Sequence, residues 1–308
     1  MSMSASSQSI SIDKPEDFHT FWKNTLSELS HYTKDYQLRL QDKQADIEHH
    51  TVEFNSWNDS KISGYCLHRK DTQVRPLLIY THGYNGQCQT QWEWAELGFN
   101  VFGFDTRGFG CSKAATHPDG WILTGIESPQ ANILRGAICD YIRASEIAKQ
   151  ITKTQTSRIL YYGFSFGGAM ALIAEALSQS ADLVAAGVPS LGWMAGRRKL
   201  VKLGSGHEIN RYIRKNQKQE QNIMHTLSYF DTANFSSLIK KPTLIGVGLN
   251  DVIVPVETVR AICQHLHCPH VIREFPFSHS NQPEEQLWQS FNNDWQHMGL
   301  TGHLPDTQ

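Results

Sequence analysis

The chain has 308 residues, 40% of them hydrophobic and 19% charged, and a formal net charge of −2. That balance is globular, and so small a charge gives nucleic acid or an anionic membrane no long-range attraction. No apolar run reaches the ~18 residues of a membrane span.

The serine-rich start, M-S-M-S-A-S-S-Q-S-I-S, lacks the basic segment and apolar core of a signal peptide. Six cysteines at irregular spacings suit reduced thiols better than a disulfide framework. Both features predict a soluble, cytoplasmic protein. In residues 1–50, Phe18, Phe21, Trp22, Leu26 and Leu29 recur at helical spacing. Asp13, Pro15 and Glu16 read as the start of that helix, so this part is expected to be a polar tail and a helical arm. T-V-E-F-N-S-W and I-S-G-Y-C-L-H-R then alternate like an antiparallel pair.

Near-continuous apolar runs follow at 76–83, 99–108, 158–163, 183–189, 242–248 and 270–277. Strands buried on both faces read this way. Helical stretches at 133–150, 166–179, 256–267 and 282–297 separate several of them. The expected fold is one doubly wound α/β domain over 1–308, with a mostly parallel sheet and helices on both faces. Two insertions interrupt the rhythm. Residues 112–132 are turn-rich yet carry Trp121, Ile122, Leu123 and Ile126, which predicts a subunit interface. Residues 190–235 predict a cap-like helical insertion whose basic runs, R-R-K among them, are solvated faces.

G-F-S-F-G-G, residues 163–168, comes directly after R-I-L-Y-Y and before A-M-A-L-I-A-E-A-L. Strand, G-x-S-x-G and helix in that order make the nucleophile elbow of an α/β-hydrolase, with Ser165 as nucleophile. A serine hydroxyl needs a base, and the base needs orienting. Asp251 follows a strand end and precedes Val254-Pro255, and His279 follows the last strand, so both fall in the α/β-hydrolase order of Ser, Asp, His. A helix cap at Asp251 and an ordinary loop histidine at 279 are the alternatives. Three residues in order, each past a strand's carboxyl end, favour the triad. The oxyanion hole needs two backbone N–H groups, expected on Phe166 and on Tyr84 in H-G-Y-N-G. His82 reads as a brace for that loop and Asp105 as structural. C-Q-H-L-H-C-P-H, residues 263–270, matches no familiar zinc spacing, so no metal is expected there.

With these residues assembled, the chain resembles the acetyl xylan esterase and cephalosporin C deacetylase family of carbohydrate esterases. The likeness runs through P-E-D-F-H-T-F-W, T-H-G-Y-N-G, F-D-T-R-G-F-G, G-W-I-L-T-G-I-E-S-P, G-F-S-F-G-G, T-L-S-Y-F-D-T-A-N-F and G-L-N-D-V-I-V-P. It implies the α/β-hydrolase fold, the triad Ser165, Asp251 and His279, and oxyanion amides on Tyr84 and Phe166. It also implies deacetylation of short acetylated sugars and cephalosporin-type compounds without a cofactor, in a homo-oligomer that in the family is usually a hexamer. The family usually has R-G-Q, S-Q-G-G and H-E where this chain has Arg107-Gly108-Phe109, Ser165-Phe166-Gly167-Gly168 and His279-Ser280. Arg107 and Phe109 are thus candidates for lining the substrate site, in more aromatic surroundings than the family's. A general carboxylesterase for apolar esters and a noncatalytic binding protein of the same fold are the other readings.

Overall fold

The structure is a computed structural model and describes residues 10–276, 278 and 285–306. Its strands are β1 (Tyr36–Gln44), β2 (Ile47–Asn55), β3 (Lys61–Arg69), β4 (Arg75–Thr81), β5 (Asn100–Phe104), β6 (Thr156–Phe164), β7 (Leu183–Gly187), β8 (Thr243–Gly248) and β9 (His270–Phe275). They form one sheet in the order β1-β2-β3-β5-β4-β6-β7-β8-β9. The neighbours β1, β2, β3 and β5 pair antiparallel in turn, and from β5 across β4 to β6, β7, β8 and β9 the pairing is parallel. Order reverses between β4 and β6, which is where an open α/β sheet gathers its ligands at the carboxyl edge.

The helices are α1 (Phe18–His31), α2 (Trp92–Glu96), α3 (Ile133–Ile151), α4 (Phe166–Ser178), α5 (Met194–Leu200), α6 (Gly204–Lys215), α7 (Glu220–Ser228), α8 (Thr232–Ser236), α9 (Val256–Gln264) and α10 (Glu285–Thr301). Two buried clusters lie on the two faces of the sheet, one against α1, α3, α4 and α9, the other against α2 and α10. Strands β4, β5 and β7 are apolar without alternation because both faces are covered. No helix among the described residues is long and apolar enough to cross a membrane.

Three expectations need correction. The helical arm begins at Phe18 rather than at Asp13, with Asp17 at the N-cap position. It docks through Phe18, Phe21 and Trp22 against Tyr229, Phe230 and Phe235. Residues 36–44 of the supposed arm are instead a strand, β1, exposed along its whole length at the sheet edge. Lastly, the apolar side chains of 112–132 do not face outward. Trp121, Ile122, Leu123 and Ile126 are buried in this chain's own core, so their apolarity is no sign of a subunit contact.

Candidate active site

Ser165 stands between β6 and α4 with φ 55° and ψ −115°, a conformation a serine adopts at a cost of about 1–3 kcal/mol. The surrounding backbone holds it there. Its N–H donates to the Gly187 carbonyl at 2.8 Å, and its own carbonyl accepts from Ser190 N at 3.1 Å and Ala169 N at 3.0 Å. The flanking glycines have a steric cause. A Cβ on Gly163 would collide with the Gly167 carbonyl, and one on Gly167 would collide with the Thr81 carbonyl at the end of β4. The helix therefore starts in contact with two strand ends, which an elbow built of larger residues forbids.

Phe166 opens α4, and a first-turn amide has no partner within its helix. The H-G-Y-N-G loop leaves β4 beside it. His82 Nδ1 donates to the Gly83 carbonyl at 2.7 Å while its Nε2 accepts from Thr106 N at 3.1 Å. Burial lowers its pKa, in keeping with a neutral ring that donates at one nitrogen and accepts at the other. It braces the loop, as the sequence suggests. Among the described residues the amides of Tyr84 and Phe166 have no hydrogen-bond acceptor. Both residues line one hollow of about 270 Å³ with Ser165, Ser190, Ile253 and Val254. Two roomier hollows, of about 410 and 610 Å³, include neither Ser165 nor Asp251 in their walls. Chemistry rather than size locates the site.

Asp251 follows β8 and is 5% exposed. Its Oδ1 accepts from Ile253 N and Val254 N, both at 2.8 Å, and its Oδ2 accepts from the Ser278 hydroxyl. It thus caps the turn at 252–254 and not the next helix, whose N-cap is Pro255. His279 and Ser280 lie outside the described residues.

The other acidic candidates have structural work. Asp105 accepts from Cys88 N and Cys111 N and so ties together the loops after β4 and β5. Asp231 accepts from Trp193, Met194 and Ala233 amides, and burial pushes its carboxyl up to about 6.

Arg107 is not a substrate-lining residue. Its Nε and Nη2 donate to the two Asp140 oxygens at 2.8 and 2.6 Å, and both side chains are buried. Gly136 on α3 leaves the space in which the guanidinium lies. Sequence pattern hides such a pair, because the partners are 33 residues apart. Asp140→Asn leaves that guanidinium charge buried without a counter-ion and is expected to cost about 3–5 kcal/mol, read from urea unfolding. An unchanged midpoint would contradict the pair's structural role. Phe109 also stands one layer back: it stacks on Trp121 at 4.9 Å and meets Tyr84 and Phe166 edge-on. It shapes the pocket wall through those rings.

The ligands considered at 263–270 go to separate partners. The Cys268 thiol reaches Thr243 Oγ1, His265 lies near the Ile10 carbonyl, and His270 Nδ1 contacts the Cys268 carbonyl. Among the described residues the one grouping with metal-ligand spacing is Glu48, His50 and His68. It sits on β2 and β3 at the sheet's other edge, since Leu67 pairs with Val101 at the start of β5.

Among the pocket residues that escaped the sequence reading is a cation. Arg197, from the basic run taken for a solvated surface, is 3% exposed and lines the hollow with Ser165. Its neighbour Arg198 does face outward and pairs with Glu220 at 2.8 Å. Nothing in R-R-K distinguishes the two, because the difference is only which side of α5 each occupies.

The family model for acetyl xylan esterase (AXE1) matches residues 8–295. The acetyl esterase Axe7A of Xylanibacter ruminicola is 22% identical over 260 residues, which make up 79% of this chain and 58% of that protein. The chain thus spans little more than half the length of that relative. The acetyl xylan esterase from Paenibacillus sp. R4 superimposes with a TM-score of 0.82 at 26% identity, covering 92% of this chain and 96% of the other. Acetyl xylan esterase 1 from Thermoanaerobacterium sp. JW/SL YS485 gives 0.84 at 22% identity over 92% and 94%, a likeness of fold.

Proposed function

The chain belongs to the acetyl xylan esterase family, and on that premise we propose that it is a serine esterase that removes acetyl groups from small acetylated compounds, sugars among them. The observation that carries this reading is Ser165, held in strain at a strand-to-helix elbow and sharing one hollow with two residues whose amides have no acceptor among the described residues. His279 takes the hydroxyl proton as Ser165 Oγ attacks the acetyl carbon, and the Tyr84 and Phe166 amides hold the oxyanion. The carbon–oxygen bond to the alcohol breaks, and the alcohol leaves with the proton from His279. Water, deprotonated by the same imidazole, then attacks the acyl carbon; its bond to Ser165 Oγ breaks, Oγ takes the proton back from His279, and acetate leaves. Asp251 orients that imidazole. The bond from Ser278 to Asp251 supports the role, because Ser278 is joined directly to His279. No step calls for a cofactor or metal. The free cysteines suit a cytoplasmic setting. A homo-oligomer belongs to this reading too, though not through the apolar residues of 112–132.

The test is a series of aryl esters of rising acyl length. The pocket is small and walled by Tyr84 and Phe166, so acetate is expected fastest, propionate slower, and chains of six carbons or more barely turned over. One methylene is worth about 1–3 kcal/mol in such a pocket, so the decline is graded. An octanoyl ester outpacing acetate would replace this reading with the general carboxylesterase. Activity is also expected to fall on the acid side, since a histidine base works only when neutral and its ordinary pKa is about 6.5. A maximum near pH 4 would be incompatible with a histidine base.

A further inference from the structure

We propose that Arg197 is an anion-binding residue of the catalytic pocket, and that the preferred substrate is an acetyl ester whose alcohol part carries a carboxylate. The proposal rests on the deacetylase reading above: acetyl fills the acyl side, so the remainder of the hollow receives the alcohol.

Arg197 projects from α5 into the hollow that holds Ser165. Its Nη2 donates to the Ser205 hydroxyl at 3.0 Å, and its Nε has no partner among the described residues. Gly206 on α6 makes room for the group, because a Cβ there would lie 2.8 Å from Nη1. The guanidinium is therefore placed by a neighbouring hydroxyl and a glycine, on helices that line the same hollow as the nucleophile. It forms no salt bridge among the described residues, whereas Arg107, equally buried, is matched in bidentate fashion by Asp140.

The available carboxylates are otherwise engaged. Glu208, the one acidic residue of α6, accepts from the Tyr84 hydroxyl at 2.6 Å and lies against Gly120. Asp231 acts on Arg197 only through space and is held by three amides of its own turn. Burial of the cation lowers its pKa to about 10, which still leaves it charged at neutral pH. A charge kept out of water without a counter-ion is costly unless something compensates it. Arg197 lines the substrate hollow, so a ligand bound there can supply the missing counter-charge. A planar guanidinium with free N–H groups suits a carboxylate, which it can bind through two parallel hydrogen bonds.

The experiment compares 3- and 4-acetoxybenzoate with their methyl esters, each rate divided by the ester's own hydroxide-catalysed rate to remove leaving-group differences. In the native protein at low salt the normalised kcat/KM of the better acid is expected to exceed that of its methyl ester by at least about tenfold. Added salt should erode the difference, and benzoate should inhibit competitively. In Arg197→Met the acid-to-ester ratio is expected to collapse to one or below, with Arg197→Lys retaining part of it. A ratio near one in the native protein, or a ratio unmoved in Arg197→Met, would overturn the proposal. Should Arg197→Met fail to fold, the native ratio and the benzoate inhibition decide it. Failure of all four acetates to react would instead overturn the deacetylase reading.

Discussion

Ser165→Ala is expected to lower kcat for an aryl acetate by about 10⁴-fold or more, with thermal unfolding little changed. The loss is large because every covalent step passes through Oγ, and what remains is the contribution of the oxyanion amides and binding. The fold should persist because the elbow is held by backbone bonds at 165, 187, 169 and 190, none of which uses the hydroxyl. The mutant's residual turnover, measured on protein free of native contaminant, checks this. Undiminished turnover would remove Ser165 from the mechanism.

Asp251→Asn is expected to cut kcat by about 10³–10⁴-fold while leaving KM and stability nearly as they are. An amide in place of the carboxylate keeps Oδ1 for the Ile253 and Val254 amides, so the turn survives. It loses the charge that orients and stabilises a protonated imidazole. Asp251→Ala separates the two roles. It should match the Asn variant in activity but also lose about 1–3 kcal/mol, because the buried Val254 amide and the half-buried Ile253 amide are left without an acceptor. A nearly silent Asp251→Asn would mean that another carboxylate serves the base. Asp231, the alternative in sequence, caps α8 and is already bound by three amides.

Some of this was legible in the sequence for definite reasons. The central strands are apolar without alternation, because helices cover both faces of the sheet, and the glycines around Ser165 are forced by backbone crossing backbone. Those patterns depend on local geometry that a sequence displays. β1 was not legible, since an edge strand exposed on every residue carries no signature of burial. Trp121 and its neighbours were misread for the opposite reason: they lie in a turn-rich excursion, yet the chain folds back and buries them. Arg107 and Arg197 were both misplaced. A buried cation is identified by its partner or by the lack of one, and either is a matter of tertiary contact.

The most direct test of the account is labelling with a fluorophosphonate, followed by intact mass and peptide mapping. The account predicts one phosphonyl group per chain, on the peptide carrying G-F-S-F-G-G at Ser165, with esterase activity lost in proportion. Full activity retained after complete labelling at Ser165, or a label placed on another residue with the same loss, would contradict it.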